Sequence, residues 1–123
     1  MRRNQKYRPS SFDTTNVKTI RGMFERCKSL IYINLKFFNT KNFKDMAYMF
    51  NKCYSLFGID LSNFYGSKVE TTISMFYTCK SLVELDLSNF GEESFKEMDN
   101  MLKRCASLSK INFSNFNGKN LIN

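Results

Sequence analysis

One phrase recurs four times in this chain. MFERCKSLIYINLKFF begins at Met23, MFNKCYSLFGIDLSNF at Met49, MFYTCKSLVELDLSNF at Met75 and MLKRCASLSKINFSNF at Met101, each 26 residues after the last with no insertion. The same step relates Cys27, Cys53, Cys79 and Cys105, and also Leu30, Leu56, Leu82 and Leu108. A fixed period of this size marks units that cannot hide an apolar side alone and so stack on copies of themselves.

Inside a unit the apolar pattern changes. Val17, Ile20, Met23, Phe24 and Cys27 recur every three or four residues, as on one face of a short helix. Asn16, Asn42 and Ser94 stand just before that run, where an N-cap would accept a bond from an unpaired amide. Leu30, Ile33 and Leu35 then move to the alternation of a strand, as do Leu56, Ile59 and Leu61 and the later equivalents. Stacking by parallel strand pairing at about 4.8 Å would bury these columns as ladders of like side chains.

The expected fold is therefore an α/β solenoid, a leucine-rich-repeat-like right-handed coil of about four 26-residue repeats, with parallel strands on one wall and short helices on the other. A basic tail at 1–11 precedes repeats near 12–37, 38–63, 64–89 and 90–115 and a partial one at 116–123.

The pattern MFxxCxSLxxLDLSNF followed by NVxxM resembles the BspA-like leucine-rich repeat surface proteins, in particular the mycoplasma-type surface lipoprotein repeat. NVKTI (Asn16 to Ile20) and NFKDM (Asn42 to Met46) fill the linking motif, and the resemblance covers nearly all of Phe12 to Ile122. It implies a binding array without catalysis, at the cell surface or outside it, engaged in adhesion to host or matrix proteins. The apolar leader of such lipoproteins has no counterpart in the basic start MRRNQKYRPSS, so a cytoplasmic location is the alternative.

The cysteines are read as packing groups. A structural zinc ion needs its ligands to converge at about 2.3 Å. Cysteines set one per layer lie along a line, the outer two roughly 14 Å apart by strand spacing. No metal and no cofactor is expected. Cys27, Cys53, Cys79 and Cys105, with Met23, Met49, Met75 and Met101, are expected to form ladders in the core, the thiols free. The chain has no histidine to activate a nucleophile and no glycine-rich phosphate loop, which argues against an enzyme. Asn63, Asn89 and Asn115 are either a ladder bonding to loop backbone or ordinary turn residues.

Two surfaces remain. Alternation turns Tyr32, Asn34 and Lys36 outward on the strand wall, then Asp60 and Ser62, then Glu84, Asp86 and Ser88, then Lys110 and Asn112. This wall, acidic in its middle, is the expected protein-binding face. On the helical side Arg26, Lys28, Lys52, Lys80, Lys103 and Arg104 make a basic ridge. With Arg2, Arg3, Lys6 and Arg8 of the tail, the ridge carries the competing expectation of an intracellular scaffold that binds polyanions. The formal charge is +8, half of which that tail supplies. Open terminal repeats lead to an expectation of end-to-end self-association. No apolar run approaches the roughly 18 residues that span a bilayer.

Overall fold

Residues one period apart lie side by side. The computed structural model describes residues 6–7, 18–36, 41–62, 64, 66, 68–91, 94 and 96–112. Its strands are β1 (Lys6–Tyr7), β2 (Tyr32–Asn34), β3 (Gly58–Asp60), β4 (Glu84–Asp86) and β5 (Lys110–Asn112). All pairing is parallel: Tyr32 against Gly58, Ile33 against Ile59, Glu84 against Lys110 and Leu85 against Ile111. Single bridges repeat the register elsewhere in the layer, joining Thr19 to Asp45, Asp45 to Thr71 and Thr71 to Glu97.

The expected helices do not form. The described residues contain no α-helix, and the stretch from Ile20 to Cys27 is a succession of tight turns. The amides of Met23, Glu25 and Cys27 return to the carbonyls of Ile20, Gly22 and Phe24, three residues back. The intervening amides of Ile20, Gly22, Phe24 and Arg26 leave the layer altogether and bond to Asp45, Ala47, Met49 and Asn51 of the next, at 2.8–3.1 Å. Met46, Tyr48, Phe50 and Lys52 do the same one layer on, and Thr72, Ser74, Phe76 and Thr78 one layer beyond that.

The reason is spatial. A helix is about 10 Å wide and keeps its amides for itself. Layers joined as paired strands stand about 4.8 Å apart. A turn path one chain thick fits that spacing and can share every second amide with its neighbour. With no helix, Asn42 and Ser94 cap none, and Asn16 and Val17 lie outside the described residues.

This path needs left-handed backbone twice per layer. Gly22, Tyr48, Ser74 and Asn100 form one such column, and Arg26, Lys52, Thr78 and Arg104 the other, with φ between 51° and 65°. Positive φ at the third residue of a turn suits glycine, yet only Gly22 is one.

The strands also fail to make one continuous wall. They form a three-stranded sheet, β1-β2-β3, and a two-stranded sheet, β4-β5. The α/β solenoid expected above, with strands along one wall and helices along the other, is thus not the fold. β2–β3 sets Asn34 beside Asp60 and β4–β5 sets Asp86 beside Asn112, and the same register would set Asp60 beside Asp86 where the sheets part.

The core runs through the layers. Phe50 stacks on Phe24 and Phe76 with ring centroids 5.4 and 5.5 Å away and planes 7° apart. Phe64 stacks on Phe90, and Leu30, Leu56 and Leu82 are fully buried in their column. One methionine departs from expectation: Met49, Met75 and Met101 are buried, but Met23 is 41% exposed.

Two outcomes test this backbone. Thr78, β-branched, holds φ at 59°. Left-handed backbone costs a residue with a Cβ about 1–2 kcal/mol, against roughly 0.5–1 kcal/mol for glycine's extra chain entropy. Thr78→Gly is expected to raise the urea midpoint, by up to about 1 kcal/mol in stability. Asp86→Asn keeps the acceptor for the Ser88 amide but removes the charge that the Ser88 hydrogen bonds favour. It is expected to lower the urea midpoint at neutral pH, by less than about 1 kcal/mol in stability.

Candidate functional site: the strand wall

The wall is built from turns as much as from strands. After β2 the Oδ1 of Asn34 accepts from the Lys36 amide, after β3 that of Asp60 accepts from the Ser62 amide, and after β4 that of Asp86 accepts from the Ser88 amide, each at 2.9 Å. These are Asx turns, in which a short side chain ends the strand by bonding two residues on. Hydrogen bonds from Ser62 and Ser88 hold the Asp60 and Asp86 carboxyls below the usual carboxylate range. Both are therefore ionised at neutral pH. Part of each carboxylate is thus committed to its own chain, a use the outward alternation did not suggest. The recurring spacing of Asn or Asp two residues before Lys or Ser was the available signal.

The wall carries a cleft of about 210 Å³, lined by residues of β4 and β5 and by Ile59 of β3. Ile59 and Leu85 provide apolar lining, and Glu84, Asp86, Lys110 and Asn112 provide charge and hydrogen-bonding groups. Side chains tie the wall together beside the gap. Ser81 Oγ donates to the Tyr54 carbonyl at 2.7 Å, and Asn89 Nδ2 donates to the Ser62 carbonyl at 2.7 Å. Asn89 thus bonds to backbone of the preceding layer as an asparagine ladder would, while Asn63 and Asn115 lie outside the described residues.

Tyr32 and Asn34 are half-buried rather than fully outward, and the Tyr32 ring covers Gly58, where an added Cβ would lie 3.3 Å from Cδ2. Asp60 and Ser88 are also half-buried, while Lys36, Ser62, Glu84, Asp86, Lys110 and Asn112 are exposed.

The basic ridge lies on the turn side of the stack. Arg26, Lys28, Lys80, Lys103 and Arg104 are exposed and Lys52 half-buried. None of the six has a carboxylate within ion-pair distance among the described residues, whereas Arg21 pairs with Asp45 at 3.2 Å. Lys28 and Lys80 both sit over the Tyr54 ring, 5.6 and 5.1 Å from its centroid. Of the tail, Lys6 lies in β1, and Arg2, Arg3 and Arg8 fall outside the described residues.

The cysteine column is a ladder of donors. Cys53 Sγ donates to the Phe24 carbonyl, Cys79 to that of Phe50 and Cys105 to that of Phe76, each at 3.1 Å. Cys53 and Cys79 are fully buried, Cys27 and Cys105 partly, and all four thiols are free. Burial pushes Cys53 up to about 12 and Cys105 to about 11, and raises Cys79 and Cys27 as well. Such thiols are neither nucleophiles nor ready metal ligands. Among the described residues no group of three His, Cys, Asp or Glu converges as a metal site would require.

The thiols give a pH test. Their folded pKa values lie above the unfolded value of about 8.5, so their stabilisation is fully present below that pH and is lost as pH rises toward the folded values. Between about pH 8.5 and 11, stability is expected to fall by up to about 1.4 kcal/mol per pH unit for each of Cys53 and Cys79. Urea unfolding across that range checks this, with a Cys53→Ala, Cys79→Ala variant expected to show a shallower slope.

No curated protein and no solved structure matches the chain. One family does, and its model, described as "Mycoplasma protein of unknown function, DUF285", matches residues 2–120. That span takes in all four copies of the repeated phrase. The chain belongs to the DUF285 family of Mycoplasma proteins.

Proposed function

We propose that this chain is a non-enzymatic module that binds a protein partner through its strand wall, as a BspA-like surface protein does in adhesion to host or matrix proteins. The observation that carries this reading is the cleft over β4 and β5, bordered by Ile59 of β3. Its apolar lining, Ile59 and Leu85, takes the stem of a long basic side chain, and Glu84 and Asp86 receive its charge. Asp60 and Asp86, ionised at neutral pH, favour a basic partner over an acidic one. Repetition supports the same reading, since stacked layers offer a partner an extended surface of regular pitch. The non-enzymatic assignment draws on the lack of any histidine and on thiols that spend their protons on backbone carbonyls.

The test is solid-phase binding to a panel of extracellular matrix proteins. The combined variant Asp60→Lys, Glu84→Lys, Asp86→Lys is expected to lower affinity for a bound protein at least about 10-fold, since each reversal replaces attraction by repulsion. Unchanged affinity in that variant would sink the wall. Loss instead on changing Arg2, Arg3, Lys6 and Arg8 to Ala, with retardation of nucleic acid, would move the function to the intracellular polyanion-binding scaffold.

A further inference from the structure

An apolar stripe runs along the corner between the basic ridge and the strand wall. Phe57 is 60% exposed and Ile31 40% exposed, and the two stand in adjacent layers, the Phe57 amide donating to the Ile31 carbonyl at 2.7 Å. Val83 continues the column one layer on, half-buried. Ile31, Phe57 and Met23 are the exposed large apolar side chains among the described residues, and of these Ile31 and Phe57 stand in consecutive layers of one register.

Charge beside the stripe names the occupant. Tyr54 stands three residues before Phe57, across the Cys53–Leu56 turn, and carries the ammonium groups of Lys28 and Lys80 over its ring. Both ammoniums are exposed and lack a carboxylate partner among the described residues. Arg26 and Lys52 add unpaired charge two residues before Lys28 and Tyr54. Exposed aromatic and aliphatic side chains flanked by unpaired cations form the pattern that binds the interface of an anionic bilayer, apolar groups entering the headgroup boundary and lysines meeting phosphates. A soluble polyanion would use the cations alone and leave Phe57 and Ile31 in water.

We infer that the corner carrying Ile31, Phe57, Lys28 and Lys80 docks this protein on an anionic lipid surface. Glu84 follows Val83 directly on β4, so the proposed protein-binding face adjoins this corner while using different side chains. The two surfaces are independent, and either can fail without the other.

The experiment is co-sedimentation of the full chain with phosphatidylcholine vesicles in which roughly a third of the lipid is phosphatidylglycerol. Binding is expected to these and not to pure phosphatidylcholine. Phe57→Ser is expected to weaken it about 10-fold, and Lys28→Gln with Lys80→Gln to weaken it roughly 10- to 25-fold. Ile31→Ser is a second apolar probe, and urea midpoints close to that of the unaltered chain will show that these variants fold. The inference is overturned by absence of binding to the anionic vesicles, by binding indifferent to Phe57→Ser and Ile31→Ser, or by complete competition from soluble polyphosphate at the same charge concentration.

Discussion

Everything in this architecture depends on the division of backbone amides along the turn stretch. One set closes turns within a layer, and the alternate set crosses to the next, from Ile20 to Asp45, Phe24 to Met49 and Arg26 to Asn51. Buried amides must find partners, and this arrangement satisfies them without widening the layer. The close pitch then allows the aromatic stack of Phe24, Phe50 and Phe76 and the cysteine donors that reach a phenylalanine carbonyl one layer back. A helix in the same place would satisfy its own amides and hold the layers too far apart for either.

The close pitch also dictates the electrostatics. Residues one period apart are neighbours, so any charged column meets itself unless neutral residues interrupt it. Asn34 and Asn112 interrupt the aspartate column at its ends, and the sheets part between its two middle members, Asp60 and Asp86. The turn side tolerates its cations differently. Thr78 breaks the column of Arg26, Lys52 and Arg104, and Tyr54 separates Lys28 from Lys80 while offering each a ring face. The molecule therefore presents an acidic parted wall and a basic ridge, with an apolar corner between them.

Much of this was legible. The period alone places Ile33 beside Ile59 and Leu85 beside Ile111, because a fixed step with no insertion leaves one register that matches like with like. Strand alternation placed Glu84 and Asp86 on the exposed side for the same local reason. The helices were not to be told from turns, because Ile20, Phe24 and Cys27 are spaced as on a helix face and turns that bury alternate corners produce the same spacing. Left-handed backbone carried no visible mark either: Tyr48, Ser74, Lys52 and Thr78 are not residues that announce it.

The amino-acid order alone therefore determined which residues meet, the parallel sense of their meeting, and the burial of most of the leucine, phenylalanine and cysteine columns, since these follow from periodicity and hydrophobicity. Tertiary structure decided what a single repeat cannot specify: that amides are shared between layers rather than kept in helices, that the strand wall parts between Asp60 and Asp86, and that Phe57 and Ile31 stay in water beside unpaired lysines. Each of these turns on the distance between one layer and the next, and that distance exists only once several layers have been stacked.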